Sequence, residues 1–468
     1  MILKEKIGIL GFGIVGKSFL TFLKSFNKQI SIWDSRELTT EELNLINDSH
    51  AIISHLSLEK FIQENDSIFI SPGFDTRDFK AQEHKFFCEL DLFSQYFKGK
   101  SIAITGTLGK TTVTRLLGRL FESEDTLVGG NIGHAMLNLV DKNLKRVFLE
   151  LSSFQLERNK NFAPNIAVIT NFFPNHLDRH KNLKSYLEAK FKIFQKQNKN
   201  QFAVIPADLI LRLGEIERVK LIKSQVFFVA ARELNEKELF ILKQVSNNIF
   251  YLRENKFVLK KSDGTKELCY INDFPKISFL ENWLFIVSIS YLLGLGEIEI
   301  KRRILGFKKD EIKTDPHRTE FFATFNGVNF YNDSKATIME ATIAALNRLE
   351  KNQRPIILIL GGVSKGVDRR ILVRQLLQQN SLKKIFCFGR ECEVFQGCEG
   401  FSTLEELVEI VMNVAKKDDQ VLFSPGGASF DLFPNFVARG ERFKELVINY
   451  GKRQKANKIF SSGASDNC

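Results

Sequence analysis

The sequence contains few cysteines, and none of them forms a C-x-x-C pair. Six cysteines occur among 468 residues. Cys387, Cys392 and Cys398 lie close together, but their spacing fits no usual zinc pattern. We therefore expect reduced thiols rather than a disulfide framework or a structural zinc site.

Long apolar runs are also missing. The longest, Trp283–Leu295, is bounded by Glu281 and Glu297 and is shorter than the roughly 20 residues that cross a bilayer as a helix. We expect a buried helix there and no contact with a membrane. The N-terminal residues lack the cationic region, apolar core and cleavage site of a signal peptide, so we expect a cytoplasmic protein.

Basic residues are in excess, but they form no dense cluster. The formal net charge is +12 and the isoelectric point is about 9.2. Because Lys and Arg are scattered among Asp and Glu, the excess predicts a solvated surface suited to small anionic substrates, and no nucleic-acid partner. A chain of 468 residues exceeds what one hydrophobic core usually holds, so about two to four domains are expected.

The most informative stretch that is present is Ser101–Arg119. A short β-branched run, Ile102–Ile104, leads into a glycine turn, and apolar residues then recur with helical spacing. In such a strand–loop–helix unit the glycines turn backbone N–H groups toward an anion. Lys110 adds a positive charge, and Thr111 offers a hydroxyl to Mg²⁺. The stretch predicts a triphosphate-binding loop; the alternative is an ordinary strand-to-helix turn with a surface lysine.

The N-terminal segment has the pattern of a dinucleotide-binding fold. A strand at Lys6–Leu10 precedes the glycine-rich run Gly11–Gly16, and a second strand, Ile30–Trp33, ends at Asp34. This spacing is typical of NAD binding, but it suits any pyrophosphate at a helix N-terminus. A nucleotide-diphosphate sugar therefore remains an equal alternative.

Two buried strands after the phosphate loop end at polar side chains. Val147–Leu149 delivers Glu150, which is well placed to hold Mg²⁺, and Ile166–Thr170 leads to His176, which is either structural or a ligand. Lys190 lies on a predicted amphipathic helix, where a lysine is by default a solvated charge.

The last third of the chain predicts a second doubly wound sheet. Residues 200–275 indicate only strands and short helices, and a boundary follows near Lys313, where Asp315 opens the third segment. A hairpin is expected at Asn326-Gly327. Strands that end at glycine turns then occur three times, with helices between them: Ile356–Leu360, Lys384–Phe388 and Val421–Phe423.

Together these motifs resemble the Mur ligase family, the ATP-dependent ligases that add amino acids to peptidoglycan precursors. The resemblance covers nearly the whole chain. It rests on the Rossmann-like start and on the following segments: Thr105–Thr112, Gly130–Gly133, Glu150–Glu157, His176–Arg179, His317-Arg318, Asn332–Thr337, Ser424-Pro425 and Ala428–Asp431.

The resemblance implies an α/β protein of three domains. A Rossmann-like N-terminal domain (1–92) would bind a UDP-sugar, a central P-loop ATPase-type α/β domain (93–313) would bind ATP, and a C-terminal Rossmann-like α/β domain (314–468) would bind the amino acid. The implied reaction is addition of D-glutamate to UDP-N-acetylmuramoyl-L-alanine through an acyl phosphate, carried out by a monomer with ATP and two Mg²⁺ ions.

The resemblance also implies roles for individual residues. The catalytic set would be Lys110, Glu150, His176, Lys190 and Lys335, with Lys190 carbamylated. Metal ligands would be Thr111, Glu150, His176 and Lys190. ATP would contact Gly106, Thr107, Gly109, Lys110, Thr111, Thr112, Asn282, Arg318 and Asp333. The UDP-sugar would contact Ile14, Val15, Asp34, Ser35, Arg36, Gly73 and Asn131, and D-glutamate would contact Thr337, Lys365, Ser429 and Phe436. Departures from the family pattern occur at Val15, Leu108, Asn175 and Ser278-Phe279.

Three alternatives remain open. The chain could add another amino acid or extend folate, as relatives in the same class do. It could be a nicotinamide-dependent oxidoreductase, although that would leave Lys110, Thr111 and Glu150 unexplained. It could be a nucleic-acid-binding ATPase, although no clustered basic or aromatic surface supports that reading.

Overall fold

The computed structural model describes residues 2–275, 278–307, 316–377 and 379–462. The expected boundary near Lys313, with Asp315 beside it, lies outside these residues. The chain folds into two compact units: Met1–Phe172 with Lys184–Lys309, and Phe173–Leu183 with Asp310–Cys468. The first unit holds two sheets and the second holds one, all rich in parallel strands, which confirms the expected α/β class.

The first sheet has five parallel strands. They are β1 (Lys6–Leu10), β2 (Gln29–Trp33), β3 (Ile52–Ile53), β4 (Ser67–Ile70) and β5 (Phe86–Phe87), in the order β3-β2-β1-β4-β5. The helices around it are α1 (Ile14–Leu23), α2 (Thr40–Asp48), α3 (Leu58–Glu64) and α4 (Glu89–Tyr96), with 3-10 helices at Lys24–Phe26 and Arg77–Lys85.

The glycine run after β1 is required by close packing. Gly11 has a φ of +83°, and a Cβ atom at Gly16 would lie only 2.1 Å from the carbonyl oxygen of Gly11. The chain can therefore turn from β1 into α1 within three residues only if both positions are glycine.

The second sheet has nine strands in the order β14-β13-β12-β11-β10-β9-β6-β8-β7. They are β6 (Lys100–Thr105), β7 (Thr126–Gly130), β8 (Arg146–Glu150), β9 (Ile166–Ile169), β10 (Phe202–Pro206), β11 (Gln225–Val229), β12 (Ile249–Arg253), β13 (Lys256–Lys261) and β14 (Gly264–Tyr270). Strands β6 to β12 pair in parallel, and β12, β13 and β14 pair antiparallel.

Helices of this part of the chain precede or follow these strands. They are α5 (Lys110–Leu120), α6 (Ser153–Leu156), α7 (Leu177–His180), α8 (Leu183–Phe191), α9 (Asp208–Leu211), α10 (Ile216–Lys220), α11 (Glu236–Lys243), α12 (Leu280–Leu292) and α13 (Glu297–Leu305), with 3-10 helices at Met136–Leu139 and Ile271–Asp273. Helix α12 is buried from Asn282 to Ser290, which confirms the expected buried helix. No helix in the described part of the chain is long and apolar enough to cross a membrane.

The third sheet has six strands in the order β15-β16-β20-β17-β18-β19. They are β15 (Glu320–Phe325), β16 (Val328–Asn332), β17 (Ile356–Gly361), β18 (Leu382–Phe388), β19 (Glu399–Phe401) and β20 (Gln420–Phe423). The helices are α14 (Met339–Glu350), α15 (Arg370–Leu376), α16 (Leu404–Val414) and α17 (Phe436–Ser462), with a 3-10 helix at Cys392–Val394. The hairpin at Asn326-Gly327 is confirmed, with φ values of +50° and +78° that suit its two-residue turn.

The expectation that all thiols are reduced is wrong for one pair. Cys387 and Cys392 form a disulfide, whereas Cys88, Cys269 and Cys398 are free. The turn at Gly389 (φ +89°) folds the chain back after β18 and leaves the two Cα atoms 5.6 Å apart, a distance that suits a disulfide. The C-x-x-C pattern does not include a pair with four intervening residues.

Candidate active site

The predicted phosphate-binding loop lies between β6 and α5. Gly106 (φ +142°) and Gly109 (φ +79°) have backbone conformations that L side chains rarely adopt. A Cβ atom at Gly106 would lie 2.0 Å from Thr170 Oγ1, and one at Gly109 would lie 2.3 Å from Asn282 Oδ1. Only glycine fits both positions, and the N-terminus of α5 that follows favours an anion.

The lysine and the hydroxyl residues of the loop lie at the start of α5. Lys110 Nζ donates hydrogen bonds to the carbonyl oxygens of Gly106 and Thr107, each at 3.0 Å. Thr111 and Thr112 follow in the first turn. The structure therefore contains the strand, loop and helix that the sequence predicts, with Lys110, Thr111 and Thr112 in the first turn of α5.

Two residues that sequence reasoning missed hold this loop in shape. Asn171 accepts a hydrogen bond from Leu108 N at 2.8 Å and donates one to Leu108 O at 3.0 Å. Thr170 Oγ1 donates to the same carbonyl oxygen at 2.7 Å. Both residues directly follow β9, so the strand-end pattern that identified Glu150 contained the signal for them.

Glu150 ends β8 and is 2% exposed. Its Oε1 accepts a hydrogen bond from Asn131 Nδ2 at 2.9 Å. Its Oε2 is buried and has no hydrogen-bond partner among the described residues. A buried carboxylate oxygen without a donor is costly, and oxygen atoms of this kind are the ligands that Mg²⁺ prefers. Glu150 therefore fits a metal site.

Lys190 is buried, so the default expectation of a solvated helix charge is wrong. The side chain is 1% exposed, Nζ donates to Gly106 O at 2.8 Å, and it lies 4.5 Å from the ring centroid of Tyr186. Burial, reinforced by the positive charge of Lys110, holds the pKa of the Lys190 amine well below its usual value. Helical periodicity gave no signal for this position; only the family resemblance singled it out.

Asp34 and Arg36 lie at the carboxyl end of β2, against the glycine run. Asp34 Oδ2 accepts a hydrogen bond from Phe12 N at 2.6 Å. Arg36 forms a two-point ion pair with Glu42, at 2.9 and 2.8 Å, and Lys17 Nζ lies 2.9 Å from the same carboxylate. These cations hold the pKa of Glu42 well below its usual range. Glu42 and Lys17 are further members of this cluster that the sequence did not reveal.

The other predicted UDP-sugar residues also follow strands. Ile14 is 80% exposed at the start of α1, with Val15 beside it. Ser35 and Gly73 are exposed after β2 and β4. Asn131 directly follows β7 of the second sheet. The structure thus places the first four at the ligand-binding edge of the first sheet and Asn131 beside Glu150.

In the second unit, Asp333 follows β16 and is buried. Its carboxylate accepts hydrogen bonds from Thr319 N at 2.8 Å and from Ser424 Oγ at 2.6 Å. Burial nevertheless raises the pKa of Asp333 to about 6, against the opposing effects of these donors and of Arg318. The positive charge of Arg318 therefore acts on the carboxylate of Asp333.

Two contacts involve residues that are predicted to bind the amino acid. Lys365 Nζ donates to Thr337 Oγ1 at 3.1 Å, and Lys335 Nζ lies 3.7 Å from the ring centroid of Phe436. Ser429 is 2% exposed after β20. The ring of Phe436 is thus placed against the Lys335 ammonium group.

Two loops at this edge of the third sheet are joined by backbone pairing. Val363 and Ala428 exchange two hydrogen bonds of 2.8 Å, which ties the loop before Lys365 to the residue before Ser429. A fully buried arginine that the sequence did not reveal supports the same region: Arg439 donates to Ser334 Oγ and to the carbonyl oxygens of Ser334 and Gly427. Burial lowers the pKa of Arg439 to about 10.

His176 belongs to the second unit. It has a φ of +55° and donates its N–H to Asn175 Oδ1 at 2.9 Å. Two residues on, Asp178 N donates to Lys365 O at 3.3 Å, so this segment packs against the loop that carries Lys365. Within the described residues, no group of three or more His, Cys, Asp or Glu side chains is placed to hold a metal ion. Mg²⁺ in nucleotide sites commonly uses one or two protein ligands and the phosphates.

Comparison with protein families matches three models along the chain. They are described as a Mur ligase MurD-like N-terminal domain over residues 5–85, a Mur ligase middle domain over 104–251, and a Mur ligase glutamate ligase domain over 317–427. A UDP-N-acetylmuramoylalanine–D-glutamate ligase of Koribacter versatilis is 34% identical, covering 96% of this chain and 99% of that protein. The chain belongs to the Mur ligase family.

Other Mur ligases agree with this assignment. A UDP-N-acetylmuramoylalanine–D-glutamate ligase from Caldanaerobacter subterraneus is 33% identical over 96% of this chain and 99% of its own length. The Mur ligase fold is seen in MurF from Acinetobacter baumannii (TM-score 0.58, 15% identity, covering 94% of this chain and 93% of that one). It is also seen in MurF from Thermotoga maritima in complex with ADP (TM-score 0.54, 17% identity, covering 85% and 92%). The prediction of an ATP-dependent ligase is confirmed.

Proposed function

We propose that this Mur ligase adds D-glutamate to UDP-N-acetylmuramoyl-L-alanine, with conversion of ATP to ADP and phosphate, in peptidoglycan precursor synthesis. The observation that carries the proposal is similarity along nearly the whole chain to ligases named for that reaction, at 31–34% identity. ATP and nucleotide sugars are cytoplasmic metabolites, so we propose that the enzyme acts in the cytoplasm.

The proposed ATP site is the loop between β6 and α5. Gly106, Thr107, Gly109, Lys110, Thr111 and Thr112 would hold the phosphates, with Asn282, Arg318 and Asp333 on the nucleotide. The steric fit of the two glycines and the position of the loop at the N-terminus of α5 support this assignment. Lys110 would offset negative charge that develops at the γ-phosphate.

We assign the metal site to Thr111, Glu150, His176 and Lys190, for two Mg²⁺ ions. Bound Mg²⁺ would stabilise negative charge on the phosphates and on the reacting carboxylate. The residues of the first unit fit the ion, because Glu150 Oε2 is buried and lacks a donor among the described residues. Glu150 would also orient Asn131, because its carboxylate accepts a hydrogen bond from the Asn131 side-chain amide.

Lys190 is proposed to be carbamylated. Its amine is buried beside Gly106, where the neutral form is favoured, and a neutral amine adds to CO₂ to give a carbamate and one proton. The carbamate would supply an anionic oxygen ligand at a position where an ammonium would repel a metal ion. This conversion also removes the like-charge contact with Lys110.

We propose that the UDP-sugar is held by Ile14, Val15, Asp34, Ser35, Arg36, Gly73 and Asn131. Asp34 and Arg36 already brace the glycine run through Phe12 N and Phe12 O. That bracing fixes the N-terminus of α1, where a pyrophosphate would be favoured.

The amino acid is proposed to bind Thr337, Lys365, Ser429 and Phe436, near the catalytic Lys335. The carboxylate of the UDP-sugar attacks the γ-phosphorus, ADP leaves, and an acyl phosphate forms. The uncharged amine of D-glutamate then attacks the acyl carbon, loses a proton, and expels phosphate. Activation is required because a carboxylate is a poor acyl donor. Lys365 and the hydroxyl groups would hold the two carboxylates of D-glutamate.

We propose domains at residues 1–92, 93–313 and 314–468, one for each sheet, and a monomeric enzyme. The first two sheets lie in one compact unit and the third in the other.

The reaction is tested with UDP-N-acetylmuramoyl-L-alanine labelled with oxygen-18 in its carboxylate. With ATP and D-glutamate, we expect one label atom in the released phosphate and a product heavier by one glutamyl residue. Phosphate without label, or no glutamate adduct, would contradict the proposed reaction.

A further inference from the structure

The disulfide of the third sheet closes a small ring at the ligand-binding edge. Cys387 is 1% exposed at the end of β18, whereas Cys392 is partly exposed in the following 3-10 helix. The bond between them encloses Gly389 and Glu391 in a ring of six residues. One sulfur is thus anchored in the sheet, and the other lies on a segment that reagents can reach.

Glu391, inside this ring, is bound to the loop after β17. Its Oε2 accepts a hydrogen bond from Arg369 at 2.7 Å, and its Oε1 accepts one from Ser364 N at 3.3 Å. Arg369 is 2% exposed and also donates to Gly361 O at 3.1 Å and Gly362 O at 2.9 Å. Glu391 therefore neutralises a buried cation and fixes the backbone of residues 361–364.

The next residue of that loop is Lys365. It has a φ of +53°, a conformation that costs free energy for a residue with a side chain and persists only when its surroundings impose it. The loop is held on one side by Glu391 and on the other by the pairing of Val363 with Ala428, next to Ser429. The position of Lys365 thus depends on contacts that Glu391 makes.

We propose that the Cys387–Cys392 disulfide is a reversible redox switch, and that Glu391 is the positioning residue through which it acts on the amino-acid site. This inference rests on the proposed function, because Lys365 is assigned there to D-glutamate. Disulfides in cytoplasmic proteins of mesophiles are usually transient or redox-sensing.

The switch operates by thiol–disulfide exchange. A small dithiol reduces the bond to two thiols and is itself oxidised to a cyclic disulfide. A small-molecule disulfide restores the bond through a mixed disulfide and leaves as two thiols. Each direction transfers two electrons, and the protein needs no other cofactor for it.

Reduction is expected to displace Glu391. Two thiols need van der Waals separation, and there is little space toward β19, because a Cβ atom at Gly400 would lie 3.1 Å from Cys392 Sγ and 3.5 Å from Cys387 Sγ. Since Cys387 is anchored in β18, Cys392 and the ring must move. We expect the Michaelis constant for D-glutamate to rise about fivefold or more on reduction, with those for ATP and the UDP-sugar unchanged.

The test compares the full-length protein in oxidised glutathione and in dithiothreitol, with thiols assigned by alkylation and peptide mass spectrometry. In both buffers we expect Cys392→Ser to have the Michaelis constant for D-glutamate that the reduced wild-type protein has. In Cys398→Ser this constant should change between the buffers as it does in wild type. Glu391→Gln should raise the constant for D-glutamate in both buffers, unlike its neighbour Glu393→Gln. Failure of the disulfide to form, or equal constants in the two verified states, would overturn the proposal.

A second measurement needs no substrate. Amide hydrogen exchange over residues 361–366 is expected to be faster in the reduced protein and in Cys392→Ser. Faster exchange without any turnover of D-glutamate would contradict the proposed function but support the coupling. Unchanged exchange would contradict the coupling itself, whichever amino acid the enzyme uses.

Discussion

Two lysines approach the same carbonyl oxygen in the phosphate loop. Lys110 Nζ and Lys190 Nζ lie 3.0 and 2.8 Å from Gly106 O, so each amine disfavours a positive charge on the other. Lys190, the more deeply buried, has the lowered pKa. We infer that Lys110 provides the charge for the phosphates, and that the Lys190 amine is the one available for modification.

For Lys110→Ala we expect ligation to be abolished and binding of the UDP-sugar to be nearly unchanged. The lysine belongs to the loop at α5, whereas the residues assigned to the UDP-sugar lie mainly on the first sheet. Calorimetry with each ligand separately tests this, with the exposed Lys142→Ala as control. Loss of both ligands by a folded variant would count against the assignment.

Lys190→Ala should be nearly inactive and partly rescued by short-chain carboxylic acids, which could occupy the place of the missing carbamate. The matched control is Lys184→Ala, an exposed lysine on the same helix. Rates of phosphate release with and without added acid measure the effect. Near-normal activity of Lys190→Ala would mean that no carbamate is needed.

Lys365→Ala is expected to raise the Michaelis constant for D-glutamate far more than those for ATP and the UDP-sugar. Leaving a buried carboxylate without its cation costs roughly 2–5 kcal/mol. Steady-state kinetics with each substrate varied in turn provide the measurement, and Lys416→Ala, an exposed lysine of the same unit, is the control. A uniform loss across the three substrates would point to damage of the fold.

At the scale of the elements, strand ends were the most predictable feature. Glu150, Asp34 and Asp333 all follow or end a strand, and parallel strands place such residues at one edge of a sheet. The sequence therefore predicted that each of these side chains lies at the carboxyl edge of its own sheet. It could not predict that β10 to β14 extend the second sheet, because strand order is decided by pairing between distant segments.

Contacts between residues that are far apart in the sequence could likewise not be predicted. Burial of Lys190 and the hydrogen bonds of Arg439 depend on elements far away in sequence, and a lysine or arginine on a helix is by default solvated. The sequence pattern did not predict the disulfide, because its formation depends on the turn at Gly389 and not on a spacing motif.

A buried carboxyl joins elements of the two sheets in the first unit. Glu89, at the start of α4, accepts hydrogen bonds from Leu137 N at 3.2 Å and from Ser18 Oγ at 3.5 Å, and its Oε2 has no hydrogen-bond partner among the described residues. Burial raises the pKa of Glu89 to about 7. The native state therefore keeps this proton at pH values where the unfolded chain has released it.

Stability should consequently fall as the pH rises from the unfolded pKa of Glu89 through its folded pKa. The loss is at most about 3 kcal/mol, and it is complete above roughly pH 7. We expect the melting temperature of Glu89→Gln, relative to wild type, to be higher at about pH 8 than at about pH 5. The exposed Glu64→Gln should show no such change. The same difference in melting temperature between Glu89→Gln and wild type at both pH values would contradict this account.

At the scale of the whole molecule, the chain carries three sheets, and we propose that each binds one of the three substrates. The sequence predicted the three α/β regions because glycine turns after buried strands recur in each. The three family models match the chain in the same order as the three sheets, which supports the proposed order of ligand sites. We propose that the choice of amino acid depends on side chains at one edge of the third sheet, around Lys365 and Thr337.

The most direct test of the central claim is the initial rate of phosphate release by the full-length enzyme with ATP, UDP-N-acetylmuramoyl-L-alanine and one amino acid at a time. Inverting the α-carbon of glutamate cannot keep both carboxylates on their partners and the amine at the acyl phosphate. We therefore predict rapid release with D-glutamate and little with L-glutamate, L-lysine or meso-diaminopimelate. Equal rates with the two glutamate enantiomers, or a preference for either diamino acid, would contradict the assignment.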